Sequence, residues 1–165
     1  MFKTVLPFLK PSAFKLLEKD EEHEQEEGEG AAILGAHVEG PFLAPSKKGA
    51  HDAANMHVPS SASLETVYGE KNLEESIKIV TLAPELPGSV RHIERLTKEY
   101  GIQVSMGHSA ATFEEGSEGM IAGARMLTHT FNAMVRRIGS LFLFLLLLLF
   151  SNKRSPSSSP SNLLY

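Results

Sequence analysis

The sequence predicts an α/β domain built on a parallel sheet. Between residues 31 and 131, short apolar runs alternate with short helical stretches in the order strand, helix, strand, helix, strand, helix, strand. Helical connections of that length suit parallel strands joined by right-handed crossovers. In addition, three of the four runs end on the same kind of group, a Glu or a His beside Gly or Thr, which is how buried strands deliver polar side chains to a site at their C-terminal ends.

The elements follow in order. Residues 1–17 carry scattered apolar residues, and a short helix is expected after Pro11-Ser12 with Ser12 as its N-cap. Residues 18–30 are acidic and end on Gly, the composition of a solvated loop. Ala31 to Val38 is the first strand, delivering His37 and Glu39 before Gly40-Pro41 stops it. Residues 40–59 form a long polar loop containing Lys47-Lys48-Gly49-Ala50-His51. Ser61 to Asn72, with Leu64, Val67 and Tyr68, has a weak helical stripe. Ile77 to Ala83 is the clearest strand and ends at Pro84-Glu85. A helix opens at Pro87-Gly88-Ser89, sets Val90, Ile93, Leu96 and Tyr100 near one face, and stops at Gly101. Ile102 to Met106 is the third strand, ending at Gly107-His108-Ser109. Thr112 and Glu115 have capping-box spacing for a helix that runs to about Ala122, with Gly123 as its stop. Met126 to Phe131 is the fourth strand and carries His129.

Composition narrows the chemistry. The chain has 165 residues, no cysteine and a formal charge of −4. Absence of Cys excludes disulfides and thiolate metal sites, so a metal would rest on His, Asp and Glu. The charge balance offers no basic surplus for nucleic acid. The N-terminal apolar stretch is broken by Pro7 and Lys10, so a signal peptide is not expected there. After Met134 the character changes. Arg136-Arg137 leads into an apolar run, Leu141 to Phe150, and then a Ser/Pro-rich end of disordered composition. That run is shorter than the roughly 20 residues that span a bilayer. Burial against the sheet or self-association is the expectation, with weak membrane attachment the lesser alternative.

Glu39, His108 and His129 all stand at strand ends. In a parallel barrel such positions converge, and one carboxylate with two imidazoles makes a divalent site of Zn²⁺ type with room for water. Such an ion suits amide hydrolysis. His37 faces the same way as Glu39 but one layer deeper, so a packed or supporting role is expected. His51 is either a substrate contact reaching over the site or a plain loop residue. His23, His57 and His92 have no supporting pattern.

Five motifs stand in order: His37-Val38-Glu39-Gly40-Pro41-Phe42, Lys47-Lys48-Gly49-Ala50-His51, Thr81-Leu82-Ala83-Pro84-Glu85, Gly107-His108-Ser109 and Thr128-His129-Thr130-Phe131-Asn132-Ala133-Met134. Together they closely resemble the N-acetylglucosamine-6-phosphate deacetylases, metal-dependent (β/α)8 barrels of the amidohydrolase superfamily. The resemblance covers about residues 31–134. It implies a partial TIM-type barrel, about strands three to six. It also implies Glu39, His108 and His129 as metal ligands, and Ala50, His51, Asn132 and Ala133 as contacts to an amino-sugar phosphate. The family reaction hydrolyses the acetamide of N-acetylglucosamine 6-phosphate, with an Asp from the eighth strand as general base.

No counterpart of that Asp is expected in this chain, so no catalytic acid or base is assigned. Residues 1–30 are then a short remnant where the family carries its first strands and a β-sandwich. Residues 135–165 are a tail without family likeness, whose Val135-Arg136 start and Leu/Phe/Ser bias fit read-through into an intron. Little activity is expected of the chain itself. A cytoplasmic location, a homo-oligomer or association with full-length subunits as a non-catalytic form complete the expectations.

Overall fold

The computed structural model describes residues 2–11, 32–130 and 132. A short helix α1 (Phe2–Val5) precedes four strands, β1 (Ala36–Glu39), β2 (Ile77–Leu82), β3 (Gln103–Met106) and β4 (Met126–Leu127). Between them lie α2 (Leu64–Tyr68) and α3 (Glu70–Glu75), then α4 (Ser89–Lys98), then α5 (Phe113–Ala122). The strands pair in chain order, β1-β2-β3-β4, and every pair is parallel. The predicted α/β architecture is therefore the observed one.

Several helix boundaries have a local cause. α5 begins with a complete capping box: Thr112 Oγ1 accepts from the Glu115 amide, and the Glu115 carboxylate accepts from the Thr112 amide. The expected single helix over residues 61–72 is instead two helices, because Gly69 takes φ 89 and the second helix continues to Glu75. Ser63 caps the first of them.

Strand lengths depart from the sequence reading at both ends of the sheet. β1 starts at Ala36 rather than Ala31, because Gly35 (φ 126) turns the chain in immediately before it; Glu39 is the last strand residue, not the first beyond it. β4 is only two residues long: the chain leaves the ladder at Thr128, and His129 adopts φ 56. The helix expected after Ser12 and the acidic stretch lie outside the described residues. α1, which composition did not suggest, brings Phe2 edge-on to Tyr68 at 5.5 Å between ring centroids.

Burial separates two faces of the sheet. Val38, Val80 and Val104 sit side by side in register and are buried with Leu82 and Met106 against Leu73, Ile93, Leu96 and Met120 of the helices. Each such aliphatic side chain contributes about 1.5–3 kcal/mol by leaving water. The other face is polar and carries His37, Thr81 and Ser105. A chain of hydrogen bonds crosses it, from His37 Nε2 to Thr81 Oγ1 (2.8 Å), to Thr128 Oγ1 (2.8 Å), to Ser105 Oγ (2.7 Å). His37 was expected to be packed or to support Glu39. It is exposed and its partner is Thr81, because the second layer on this face is a hydroxyl belt rather than apolar packing.

Candidate metal centre

Glu39 is brought to the site by the last residue of β1. The turn after it is held from beneath: Tyr68 Oη donates to the Gly40 carbonyl at 2.8 Å, and the Phe42 ring is packed edge-on by both Tyr68 and His92. Pro41 to Ala44 are buried, so the first part of the predicted polar loop belongs to the core. Three short 3-10 turns, Pro45–Lys47, Ala53–Asn55 and Pro59–Ser61, organise the rest of that loop.

His108 and His129 stand just past β3 and β4, with φ of 49 and 56. This left-handed backbone breaks the strict alternation of a strand and turns both side chains toward Glu39. Glu39 Oε1 lies 2.6 Å from His108 Nε2 and 2.8 Å from His129 Nε2. His51 Nε2 lies 3.9 Å from the same oxygen. The ligand atoms of Glu39, His51 and His108 are all within 4.8 Å of one another. The residues predicted as ligands from three separate strand ends are thus gathered around one oxygen atom, with His51 beside them. His108 is buried, while His129 is the most exposed of the group.

The hydrogen-bonding capacity of these groups tests whether they fit a cation. His108 Nδ1 lies 2.7 Å from the Lys47 carbonyl, which can only accept, so Nδ1 carries a hydrogen. Nε2 of the same ring lies 2.6 Å from Glu39 Oε1, and His129 Nε2 lies 2.8 Å from it; each such pair of atoms can share a hydrogen or turn two lone pairs to one cation. Zinc binds such donors at about 2.0–2.2 Å, so two ligands of one ion stand at most about 4.2 Å apart; the group whose ligand atoms all approach one another to within 4.8 Å is Glu39, His51 and His108, and His129, though 2.8 Å from Glu39 Oε1, is not in that group. A backbone carbonyl that fixes the tautomer of a ligating His is the usual outer support of a metal site. Burial pushes the Glu39 carboxyl up, but hydrogen bonds from His129 and His108 outweigh it and hold the group below its ordinary value.

The cluster opens into a cavity of about 440 Å³ lined also by Lys47, Gly49, Ala50 and Asn132. Three of the four predicted substrate contacts, Ala50, His51 and Asn132, therefore border the same space. Ala133 lies outside the described residues. His57 is exposed, with its amide bonded to the Pro41 carbonyl. His92 is buried rather than set in a polar context: its Nε2–H donates to the Ala62 carbonyl at 3.0 Å. Sequence reasoning missed the Lys47 carbonyl, for which no side-chain signal exists. It also missed the belt of Thr81, Ser105 and Thr128, although hydroxyls at alternate positions in apolar runs are visible in the sequence.

No protein-family model matches the chain. The N-acetylglucosamine-6-phosphate deacetylase of Caenorhabditis elegans is 39% identical over 137 residues, covering 81% of this chain and 29% of that protein. The Danio rerio enzyme of the same name is 43% identical over 110 residues, covering 65% of this chain and 26% of its own length. Among solved structures, a Mycobacterium smegmatis N-acetyl-D-glucosamine-6-phosphate deacetylase variant in complex with N-acetyl-D-glucosamine-6-phosphate aligns with 63% of this chain and 26% of that one, at 33% identity and TM-score 0.53. The chain thus spans less than a third of the length of the curated relatives it matches. In sequence and in fold it is related to the N-acetylglucosamine-6-phosphate deacetylases, and its parallel sheet corresponds to part of their barrel.

Proposed function

We propose that this chain is the metal-binding portion of an N-acetylglucosamine-6-phosphate deacetylase. Glu39, His108 and His129 hold one divalent ion, Zn²⁺ by the nitrogen and oxygen character of the donors. The observation that carries this reading is the pair of short contacts from Glu39 Oε1 to two imidazole nitrogens, one on a ring whose other nitrogen is already committed to a carbonyl. A bound ion of this kind supplies Lewis acidity and an activated water for amide hydrolysis. The residues of the chain position the reactants. Glu39 and His108 would hold the ion beside the cavity that they line. Ala50, His51 and Asn132 line the cavity and would contact the amino-sugar phosphate, with Ala133 a fourth contact by family resemblance. The domain responsible is residues 31–134, flanked by residues 1–30 and a tail of a different character, and its place is the cytoplasm.

Among the 165 residues the only aspartates are Asp20, outside the described residues, and Asp52, which caps the short turn Ala53–Asn55 rather than ending a strand. A general base contributes about 10²–10⁴-fold to such a reaction, so the chain alone is expected to hydrolyse slowly. A second reading, association with complete subunits as a non-catalytic form, is favoured by the sheet: among the described residues β1 and β4 are each paired on one side only.

The test is acetate release from N-acetylglucosamine 6-phosphate by the Zn²⁺-loaded chain, alongside binding of that sugar phosphate. Metal-dependent binding with hydrolysis about 10²–10⁴-fold below that of a complete enzyme is expected. Turnover at the rate of a complete enzyme contradicts the need for a further Asp. Failure to bind either metal or sugar phosphate contradicts the assignment.

A further inference from the structure

Glu85 stands three residues beyond the end of β2 and takes no part in lining the metal cavity. Its carboxylate makes no ion pair among the described residues. It is instead spent wholly on the loop that follows His108. Ser109 Oγ–H donates to Oε2 at 2.7 Å, and the Ala110 amide donates to Oε1 at 2.5 Å. Ser109 Oγ in turn accepts from the Ala111 amide at 2.9 Å. Three consecutive residues, 109 to 111, are therefore tied directly or through one hydroxyl to a single carboxylate. Ser109 is 2% exposed, so its hydroxyl has little water to turn to.

His108 is the residue that this clamp adjoins. Its backbone is left-handed, a conformation that a side-chain-bearing residue keeps only where the surroundings impose it. On one side, the Ala44 amide donates to the His108 carbonyl at 3.0 Å, and the Lys47 carbonyl holds Nδ1. On the other, Glu85 holds the residues that follow. The loop cannot relax toward ordinary extended backbone without breaking one set or the other. From this we infer that Glu85 is a positioning residue: by fixing residues 109–111 it holds His108 in the strained backbone that aims Nε2 at the ion. The inference rests on the reading of His108 as a metal ligand.

The experiment compares Co²⁺ binding by the full chain and its Glu85→Ala, Glu85→Gln and Ser109→Ala variants. It reads the dissociation constant, the visible absorption of the bound ion and the metal-free melting midpoint. At a temperature where each variant is folded, Glu85→Ala is expected to weaken Co²⁺ binding about ten-fold, the lower range for losing an outer-shell support, and to alter the absorption band. Glu85→Gln keeps a carbonyl acceptor for the Ala110 amide and is expected to recover most of the affinity. A folded Glu85→Ala chain with unchanged affinity and spectrum overturns the inference, even if its melting midpoint falls, since a merely structural role predicts that pattern. Should Glu85→Ala not fold, Ser109→Ala decides: weaker Co²⁺ binding supports the clamp and unchanged binding rejects it. If the unsubstituted chain binds no Co²⁺, the metal reading fails and takes the clamp with it; if it binds and the variants match it, only the clamp fails.

Discussion

At His108, one nitrogen is spoken for by a backbone carbonyl and the other is set against a carboxylate. The support comes from the Lys47 main chain, so its side chain is dispensable for it. Lys47→Ala is expected to leave metal affinity unchanged in a calorimetric titration. Gly49→Ala is expected to weaken it, because the residue packs against the His108 ring on a backbone with φ 56 that an L-residue resists. Equal effects of the two substitutions would contradict this account of how the ring is held. His92 shows a different use of the same side chain. Burial pushes its pKa down, its Nε2–H is given to the Ala62 carbonyl, and no partner is found for Nδ1 among the described residues. The folded state therefore favours the neutral ring. Below pH about 6.5 the unfolded chain takes up a proton that the native ring refuses, so this group's contribution to stability is present above that pH and falls as the pH drops through the lowered native value. Melting curves at pH 7 and pH 5 should show a smaller acid loss for His92→Gln than for the unsubstituted chain; identical losses would show that His92 is not the group responsible.

Among the elements, the contact of α2 with α4 is electrostatic at its rim. Arg95 donates to Glu65 at 2.7 Å and to Glu99 at 2.8 Å, and Tyr100 Oη donates to Glu65 at 2.9 Å. The Arg95 guanidinium is the main reason that the Glu65 carboxyl falls to about 2. Its contribution is complete above the ordinary Glu value and is lost as the pH falls from about 4.5 toward 2. Acid titration of Glu65→Gln should lose less stability across that window, and a curve parallel to the unsubstituted chain would refute the tie. Between β3 and β4, Gly107 has no room for a side chain: a Cβ would lie 2.9 Å from Thr128 Cβ and from the Thr128 carbonyl oxygen. Gly107→Ala is expected to cost about 1–3 kcal/mol by overpacking, visible as a melting midpoint several degrees lower. An unchanged midpoint would mean that β4 yields freely.

These elements also show how far the sequence could be read. α4 ends at Lys98, short of the expected stop at Gly101, but the capping box at Thr112 and Glu115 and the strand from Ile77 depend on neighbours a few residues away, and both were legible. The split at Gly69 and the short β4 were not, since both depend on backbone angles that a helical or apolar pattern does not announce. Glu39, His108 and His129 were legible as candidates because each follows or ends an apolar run. That they meet at one oxygen, and that His51 joins them, is a matter of how distant strand ends are stacked side by side.

In the whole molecule, the sheet sorts its duties by face. The helix-covered face supplies the core, and the polar face supplies the hydroxyl belt and, at its C-terminal rim, the Glu–His–His cluster. Large apolar side chains remain exposed at Phe8, Leu34 and Ile121, each at least 80% accessible. With two sheet edges each paired on one side, the purified chain is expected to associate reversibly as its concentration rises, which sedimentation velocity reads directly. A monomer at all concentrations would contradict the association reading. Among the described residues no helix is long and apolar enough to cross a membrane.

The account turns on one ion held by Glu39 and its two histidines. Titration of Zn²⁺ into the unsubstituted chain and into Glu39→Gln tests it most directly. The expected result is one ion per chain, with affinity lowered in Glu39→Gln by more than the roughly 10–100-fold that losing an outer-shell partner costs. Equal affinity in the two proteins, or no binding to the unsubstituted chain, would contradict it.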